Sequence, residues 1–305
     1  MKYYIGIDGG GTKTGFCLTD ESLNIISEYK TTGCYYPIIG KDGVIDLINN
    51  GINICLNDTK INIKNVTACC GLPAYGEIES LMESLPEIAE KIIVPIKFCN
   101  DAEVCHAGAL NLNPGMTIIA GTGSIGFGQD ENKNTARSGG FGPEVGGDEG
   151  SGYWIGMKLI QTFTRQVDYR EERTLLYDEM KKALDFKSDF DVCTYVIETI
   201  GMERDKIASL ATLAEKIARM GDPACKAIYF GAAREIYLLA LSIKKQLDFT
   251  NLPIKVSYAG SIYKSGDIML PELSRLLEKD NMILTSPLFS PVIGACLLAK
   301  DFSQS

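Results

Sequence analysis

Short apolar runs that end at a glycine or an acidic residue alternate with amphipathic patterns in the first part of the chain. Three runs of β-type residues come first and predict a meander of three strands. Apolar residues then recur at helical spacing, with further β-type runs between the predicted helices. We expect strands over residues 3–7, 14–19, 25–31, 66–70 and 92–99, and helices over residues 42–56, 77–85 and 102–110.

The opening pattern, a hairpin with a glycine-rich tip, occurs again after the turn at Asn113, Pro114 and Gly115. Strands are predicted over residues 116–120 and 125–129, with a glycine-rich turn between them. A long helical stretch follows, and then one more strand and a last helix. The helices are expected over residues 153–166, 173–184, 191–200, 206–220, 223–247 and 292–300, and the strand over residues 254–259.

A hairpin that recurs at the start of two successive halves indicates a duplicated domain. The length of 305 residues is also about twice that of a typical domain. We therefore predict an α/β protein with two domains flanking a cleft. The N-terminal domain is expected over residues 1–115, joined by the C-terminal helix of residues 290–305, and the C-terminal domain over residues 116–289, with a helical insertion.

The charge and hydropathy of the chain restrict its partners. A formal net charge of -9 leaves no basic surplus to neutralise nucleic acid or an anionic membrane surface. No apolar run approaches the roughly 20 residues of a membrane span, and the N-terminus lacks the apolar core of a signal peptide. We therefore expect a cytoplasmic protein without a nucleic-acid or membrane partner.

Cysteine and histidine usage restricts the chemistry. Ten cysteines without a C-x-x-C pair, most of them beside apolar residues, predict reduced thiols packed as small hydrophobic side chains. The single histidine, His106, argues against Ser-His-Asp and Cys-His catalysis. Acid–base chemistry is therefore expected from carboxylates.

The two glycine-rich loops carry the clearest chemical signal. Glycines let consecutive backbone N–H groups converge on a phosphate, because no Cβ stands in the way. Residues 6–14 approach the P-loop pattern, but Thr12 stands where its lysine belongs and a strand follows. Residues 121–126 read G-x-G-x-x-G, but again a strand follows where a dinucleotide site needs a helix. Either loop alone could be an ordinary hairpin turn, whereas the pair, with Asp8 beside the first loop, predicts phosphate binding.

Several side chains near these loops are open to two interpretations. Asp101 could cap the helix that follows it or accept the proton of a substrate hydroxyl. Asp8 could fix its turn or hold Mg²⁺ beside a triphosphate. Asp148 and Glu149 could be favourable acids in a first helical turn or accept hydrogen bonds from sugar hydroxyls. Phe141, flanked by glycines, could stack on a ligand or pack the loop.

Five segments occur in a fixed order: residues 8–14 (DGGGTKT), 100–102 (NDA), 120–124 (AGTGS), 146–156 (GGDEGSGYWIG) and 259–261 (AGS). In these segments, and over essentially its whole length, the chain resembles the N-acetylglucosamine kinase family. The motif Asp-Glu-Gly-Ser-x-x-Trp, within residues 146–156, is the part of the sequence most specific to this family. The wider group contains the ATPases that activate benzoyl-CoA reductase and 2-hydroxyglutaryl-CoA dehydratase, within the superfamily of sugar kinases, heat-shock chaperones and actin.

The resemblance implies a fold, a reaction and a set of site residues. It implies two ribonuclease-H-like, actin-like ATPase domains, and transfer of the γ-phosphate of ATP to the 6-hydroxyl of an N-acetylated amino sugar, N-acetylglucosamine or N-acetylmuramic acid. ATP and Mg²⁺ are the implied cofactors, Asp101 the catalytic base and Asp8 the metal anchor, in a homodimer. ATP and phosphate binding is implied for Gly10, Gly11, Thr12, Lys13, Thr122, Gly123, Gly260 and Ser261, and sugar binding for Ser124, Gly140, Phe141, Asp148 and Glu149.

The chain departs from the family pattern where the sugar is bound. Many members carry Trp where Phe141 stands, and the loop before Asp148 is one residue longer here. Where the first domain of the family often supplies a Thr-Asn pair, this chain has Thr32 and Gly33. Glucosamine therefore stays open as an alternative substrate.

Two alternatives belong to other functional classes. An ATPase activator would need a cysteine for a shared iron–sulfur cluster near the second loop, and none lies between Cys105 and Cys193. A sugar sensor without kinase activity would not need the three aspartates Asp8, Asp101 and Asp148. Both alternatives are therefore disfavoured.

Overall fold

The computed structural model describes residues 1–304. The chain divides into two compact units. Unit 1 comprises Met1–Thr117 together with the described residues from Ser286 onward, and unit 2 comprises Ile118–Thr285.

The sheet of unit 1 consists of β1 (Tyr3–Gly9), β2 (Lys13–Asp20), β3 (Ile25–Thr32), β4 (Val66–Leu72) and β5 (Ile96–Asn100). The first three strands form the predicted antiparallel meander. Strand β4 pairs parallel with β1, and β5 pairs parallel with β4, so the strand order is β3-β2-β1-β4-β5. The carboxyl ends of β1, β4 and β5 therefore meet at one edge of the sheet.

Three helices of unit 1 are α1 (Tyr36–Leu56), α2 (Glu79–Lys91) and α3 (Asp101–Leu110). Helix α1 begins before the predicted residue 42 and is interrupted at Gly40, whose φ is 65°. Helix α2 continues through Pro86 instead of ending there, because Leu81 and Ile88 are buried on either side of the proline and packing outweighs the lost hydrogen bond.

Successive residues of β1 face opposite sides of the sheet, as the two-residue period of a strand requires. Ile5 and Ile7 pack in a core cluster with residues of α1 and α2. Tyr4 packs on the other face in a second cluster, with α3 and a helix from the C-terminal end of the chain. Nine of the ten cysteines are buried, and Cys193 is the exposed one. The thiols thus pack as small hydrophobic side chains, as predicted.

The second sheet consists of β6 (Gly115–Ala120), β7 (Ser124–Gln129), β8 (Thr135–Gly139), β9 (Ile254–Ala259) and β10 (Met282–Leu284), in the order β10-β9-β6-β7-β8. Strands β8 and β10 were not predicted. The sequence of β8 is polar and its residues are exposed or half-buried, and β10 has only three residues. Neither strand has an apolar alternation long enough to recognise.

The helices of unit 2 are α4 (Gly152–Val167), α5 (Leu175–Ala183), α6 (Asp191–Thr194), α7 (Arg204–Arg219), α8 (Pro223–Gln246) and α9 (Gly266–Glu278). Helix α6 continues as a π-helical turn over Tyr195–Thr199. Helix α9 was not predicted, and Pro271 lies inside it. The last helix, α10 (Pro291–Phe302), belongs to unit 1. Within residues 1–304, no helix combines the length and apolar character needed to cross a membrane.

Candidate active site

Asp8 and Asp101 come from the same edge of the first sheet. Asp8 is opposite Gly71 of β4, and Leu72 of β4 is opposite Asn100, the last residue of β5. Neighbouring strands lie about 4.8 Å apart, so β1 and β5 are separated by about 10 Å at this edge. The topology therefore places the two predicted carboxylates on one side of unit 1.

The Asp8 carboxyl is half-buried and surrounded by protein. Burial raises its pKa to about 6, and the charge of Lys13 opposes this shift. A divalent cation would stabilise a carboxylate that is solvated so poorly, so the residue fits the predicted metal anchor. Within the described residues, no group of three or more His, Cys, Asp or Glu side chains could hold a metal ion. A metal at Asp8 would therefore need further oxygen ligands from a nucleotide.

The first glycine loop, residues 9–12, is held by backbone contacts rather than by side chains. The N–H of Gly10 donates to the carbonyl of Lys13 at 3.0 Å, and the N–H of Cys34 donates to the carbonyl of Gly10 at 3.0 Å. A Cβ on Gly33 would lie 2.1 Å from the carbonyl oxygen of Gly11, so Gly33 allows the chain after β3 to approach the loop. Gly11, Thr12 and Lys13 remain exposed to solvent. These residues are therefore accessible to an anionic ligand.

Helix α3 begins at Asp101, but Asp101 does not cap it. The N-cap is Asn100, whose side chain accepts a hydrogen bond from the N–H of Ala102 at 2.9 Å. The capping interpretation of Asp101 is therefore wrong. Burial, together with the negative charges of Asp101 and Asp8, raises the pKa of the nearby Cys34 thiol to about 11.

The second glycine loop, residues 121–123, is bound to the N-terminus of α4. The N–H of Gly152 donates to the carbonyl of Gly121 at 2.8 Å, and the N–H of Tyr153 donates to the carbonyl of Thr122 at 3.2 Å. The side chain of Ser151 caps the helix. The N–H groups at the start of α4 are thus satisfied by the loop and by Ser151. The positive end of the α4 dipole lies against the loop and favours an anion there.

Helix α4 also carries Trp154, close to its contact with the loop. A Cβ on Gly231 of α8 would lie 2.9 Å from the indole ring, so the ring lies against the backbone of α8. The ammonium of Lys158 lies 5.4 Å from the ring centroid, on the same face of α4. The ring is half-buried.

The predicted sugar residues Asp148 and Glu149 differ in their surroundings. Asp148 is buried and has a left-handed φ of 63°. Its Oδ1 accepts a hydrogen bond from the N–H of Ser124 at 3.1 Å, and its Oδ2 accepts one from the guanidinium of Arg204. Burial raises the pKa of Asp148, and Arg204 opposes the shift. Glu149 is half-buried, and its carbonyl accepts a hydrogen bond from the Ser124 hydroxyl at 2.7 Å.

Phe141 is exposed on a loop over residues 140–147. The N–H of Gly140 donates to the carbonyl of Ser124 at 3.0 Å, which fixes one end of this loop to β7. A Cβ on Gly147 would lie 2.0 Å from the carbonyl oxygen of Phe141, so the two ends of the loop approach closely. The Phe141 ring is thus presented to solvent beside Ser124.

Gly260 and Ser261 lead from β9 into a cavity of about 400 Å³. The φ of Gly260 is 112°, and a Cβ there would lie 2.2 Å from the carbonyl oxygen of Ala120. Ser261 lines the cavity together with Gly121 and Thr122 of the second loop. Its polar walls include Asp205, Ser209, Thr212, Glu215, Tyr229 and Lys264. The volume suits a small organic ligand, and these walls offer hydrogen bonds to hydroxyl groups.

Sequence reasoning missed the polar walls of this cavity and Arg204. These residues belong to the amphipathic helix α7, to α8 (Tyr229) and to the segment after β9. Nothing in their local pattern distinguishes them from ordinary helix and loop positions. The structure groups the other predicted residues by unit. Asp8, Gly10, Gly11, Thr12, Lys13 and Asp101 lie in unit 1, and Thr122, Gly123, Ser124, Gly140, Phe141, Asp148, Glu149, Gly260 and Ser261 lie in unit 2.

Comparison with known proteins adds relatives that match almost the whole chain. A sequence profile of the BadF/BadG/BcrA/BcrD ATPase family matches residues 5–299. An N-acetylmuramic acid/N-acetylglucosamine kinase of Clostridium acetobutylicum is 31% identical over 310 residues, covering 99% of both chains. An N-acetyl-D-glucosamine kinase of Dictyostelium discoideum is 29% identical over 316 residues, covering 98% of both chains.

Two solved structures share the fold. A provisionally named N-acetylglucosamine kinase of Chromobacterium violaceum superimposes with a TM-score of 0.75 at 21% identity, covering 98% of this chain and 99% of that one. A ROK family glucokinase of Streptomyces griseus, solved with glucose and AMPPNP, has a TM-score of 0.60 at 17% identity, covering 98% of this chain and 99% of that one. The predicted two-domain α/β fold is confirmed.

Proposed function

The chain belongs to the BadF/BadG/BcrA/BcrD ATPase family, and we propose that it is an ATP-dependent kinase of N-acetylated amino sugars. The proposal follows the predicted resemblance, and both curated relatives that match the full chain are kinases of such sugars. It specifies transfer of the γ-phosphate of ATP to the 6-hydroxyl of N-acetylglucosamine or N-acetylmuramic acid.

The observation that carries the proposal is the cavity that begins at the second glycine loop. It is large enough for a nucleoside, and one end is formed by Gly121, Thr122 and Ser261, where backbone N–H groups can meet phosphates. Acidic and hydroxyl side chains on its walls suit the hydroxyls of a ribose. ATP bound here would place its polyphosphate at the second loop, near the positive end of the α4 dipole.

Unit 1 supplies the acid–base chemistry in this proposal. Asp101 accepts the proton of the sugar hydroxyl as its oxygen attacks the γ-phosphorus, and ADP leaves. The first loop, through Gly10, Gly11, Thr12 and Lys13, binds phosphate oxygens. Asp8 anchors Mg²⁺, which would neutralise part of the phosphate charge when it is bound.

Unit 2 supplies the sugar contacts. Ser124, Gly140 and Glu149 are proposed as sugar contacts, and in the structure the Ser124 hydroxyl and the Gly140 N–H hold these segments together through the carbonyls of Glu149 and Ser124. The exposed ring of Phe141 can stack on the sugar or on its acetamido group. Asp148 is proposed as a further acceptor for a sugar hydroxyl. Homodimer formation and a cytoplasmic location also remain proposals, and glucosamine remains the alternative substrate.

The decisive experiment measures ADP release against a panel of N-acetylglucosamine, N-acetylmuramic acid, glucosamine and glucose, with and without Mg²⁺. We expect turnover to require Mg²⁺ and an amino sugar, because the sugar hydroxyl is the proposed nucleophile and Mg²⁺ the proposed partner of the phosphates. The 6-deoxy analogue of the preferred sugar should bind without being phosphorylated. Rapid ATP hydrolysis that does not depend on sugar would contradict the proposal.

A further inference from the structure

Arg204 lies where the second glycine loop meets a buried carboxylate. It is the first residue of α7, and a Cβ on Gly123 would lie 2.2 Å from its Nη2 and 2.4 Å from Oδ1 of Asp148. A side chain at position 123 would therefore clash with the ion pair of Arg204 and Asp148. The close approach of a phosphate to the loop would call for glycine at this position as well. The guanidinium consequently lies against the loop that is proposed to bind phosphate.

In this arrangement both oxygens of Asp148 are hydrogen-bonded within the protein, and the side chain is shielded from a sugar. Its exposed fraction is 3%, Oδ1 accepts from the N–H of Ser124, and Oδ2 accepts from Arg204. A buried carboxylate needs such partners, because losing one of them would leave its charge uncompensated. Asp148 can therefore bind a hydroxyl through Oδ2 only after Arg204 has moved.

Arg204 has both the freedom and the chemistry to move. Its side chain is 46% exposed, whereas that of Asp148 is 3% exposed, so the arginine is the mobile partner. A guanidinium binds phosphate oxygens with two parallel N–H donors. A polyphosphate also carries several negative charges and would compete with one carboxylate for the same cation.

We propose that Arg204 couples nucleotide binding to sugar binding: the polyphosphate of ATP draws its guanidinium off Asp148, and Oδ2 of Asp148 then accepts a hydrogen bond from a sugar hydroxyl. The inference rests on the proposed function. The sugar hydroxyl replaces the arginine as the partner of the buried oxygen, so the carboxylate stays satisfied when both ligands are bound. Each ligand therefore raises the affinity for the other by the same factor.

The first test concerns the nucleotide and needs no sugar. Binding of AMPPNP and of adenosine is measured by calorimetry for the wild-type protein, for Arg204→Gln and for Lys206→Gln, which removes an exposed charge from the same helix. We expect Arg204→Gln to weaken AMPPNP binding roughly 10-fold or more and to leave adenosine binding unchanged. Equal losses for both ligands, or none for AMPPNP, would overturn the proposal.

Asp148→Asn gives a result of opposite sign. The arginine is then no longer held by a carboxylate, so AMPPNP should bind several-fold more tightly while sugar binding weakens. A pair that only stabilises the fold would instead weaken both, or neither. Arg204→Lys keeps the charge but loses the planar pair of N–H donors. Its affinity for AMPPNP should therefore lie between those of the wild-type protein and Arg204→Gln.

The second test measures the coupling itself. The dissociation constant of N-acetylglucosamine is determined with and without saturating AMPPNP. We expect AMPPNP to tighten sugar binding about 5-fold to 100-fold in the wild-type protein and in Lys206→Gln, and to have little effect in Arg204→Gln. An unchanged coupling factor in Arg204→Gln would refute the mechanism. If no amino sugar binds the wild-type protein in either state, the proposed substrate and the release of Asp148 both fail, while the first test still decides whether Arg204 binds phosphate.

Discussion

Asn100 and Asp101 are neighbours at the start of α3, and the structure separates their roles. Asn100 satisfies the N–H of Ala102 and thereby caps the helix. Its amide also donates to the carbonyl of Tyr75 at 3.0 Å, which ties the strand end to the segment after β4. Asp101 is thus not needed as the cap of α3, and substitutions at the two positions should have different consequences.

We expect Asp101→Asn to lower kcat about 10²-fold to 10⁴-fold, because the base is lost while the shape of the side chain is kept. Its melting temperature should stay close to that of the wild-type protein. Asn100→Ala, the matched variant, should cost about 1 kcal/mol of stability through loss of the cap. Steady-state kinetics and thermal unfolding of both variants test this, and near-normal turnover by Asp101→Asn would remove it from the mechanism.

The raised pKa of Asp8 predicts a pH dependence of stability. Because the folded-state pKa of about 6 lies above the ordinary value of 3.8, the stability associated with the protonated carboxyl is fully present below about pH 4 and is lost as the pH rises through 6. In the ligand-free protein the ionised carboxyl should therefore cost roughly 1–3 kcal/mol near pH 7.5.

The Asp8→Asn variant isolates this effect. Its stability relative to the wild-type protein, measured by denaturant unfolding, should increase between pH 5 and pH 7.5. Bound Mg²⁺ and nucleotide should stabilise the ionised Asp8 carboxyl of the wild-type protein, so that its stability no longer falls over this pH range. A stability difference that does not change with pH would show that Asp8 titrates normally.

The ion pair of Arg204 and Asp148 illustrates what sequence cannot reveal at the residue scale. The two residues are 56 positions apart, and Arg204 belongs to no recognised motif. Asp148 could be selected because it stands in a family segment. Its burial and its partner depend on how α7 packs beside the second loop, which local pattern does not encode.

At the scale of elements, α4 and α7 cross at a glycine. A Cβ on Gly156 would lie 2.1 Å from the carbonyl oxygen of Ile207, which is backbone and cannot rotate away. The last glycine of the segment GGDEGSGYWIG therefore serves helix packing. Helix α7 carries Asp205 and Ser209 into the nucleoside-sized cavity, so the crossing also sets one wall of that cavity.

Gly156→Ala should therefore push α7 away from α4. We expect a loss of about 1–3 kcal/mol of stability together with a several-fold higher KM for ATP. The KM for the sugar should change less. Thermal unfolding and initial-rate kinetics measure both effects, and an unchanged melting temperature would mean that the two helices can separate without cost.

Prediction of the elements succeeded where the pattern was long and regular. The meander of unit 1, the two hairpins and helices such as α8 have clear periodicity, and their predicted bounds agree with the structure within a few residues. Strand β5 was predicted from residue 92 but begins at Ile96, directly after Pro95, because proline cannot donate to the sheet ladder. Short or proline-containing elements, such as β10 and α9, were missed because tertiary packing rather than local pattern stabilises them.

At the scale of the whole molecule, the repeated hairpin predicted two similar sheets, and each unit contains one with five strands. The last helix, α10, is part of the core of unit 1 although it follows unit 2 in the chain. Ala295, Cys296 and Ala299 of α10 are fully buried. A Cβ on Gly6 of β1 would lie 2.1 Å from the carbonyl oxygen of Val292, so the helix lies directly on the central strand.

A chain that stops after Thr285 should therefore lose the structure of unit 1. Limited proteolysis with mass spectrometry should show cleavage within residues 1–117, because the face of the sheet that α10 covers becomes exposed. A chain that stops after Phe302 keeps α10 and should resist cleavage like the full-length protein. Equal resistance of both truncated chains would show that α10 is dispensable.

The place of Trp154 has a practical consequence, because it is the only tryptophan in the chain. All indole fluorescence therefore originates one residue beyond Tyr153, whose N–H is bonded to Thr122 of the second glycine loop. The ring lies against the backbone of α8 at Gly231, so a small shift of α4 relative to α8 changes its surroundings. We expect AMPPNP to change the emission intensity or wavelength without any attached dye, so nucleotide binding can be followed in a stopped-flow instrument with the unmodified protein.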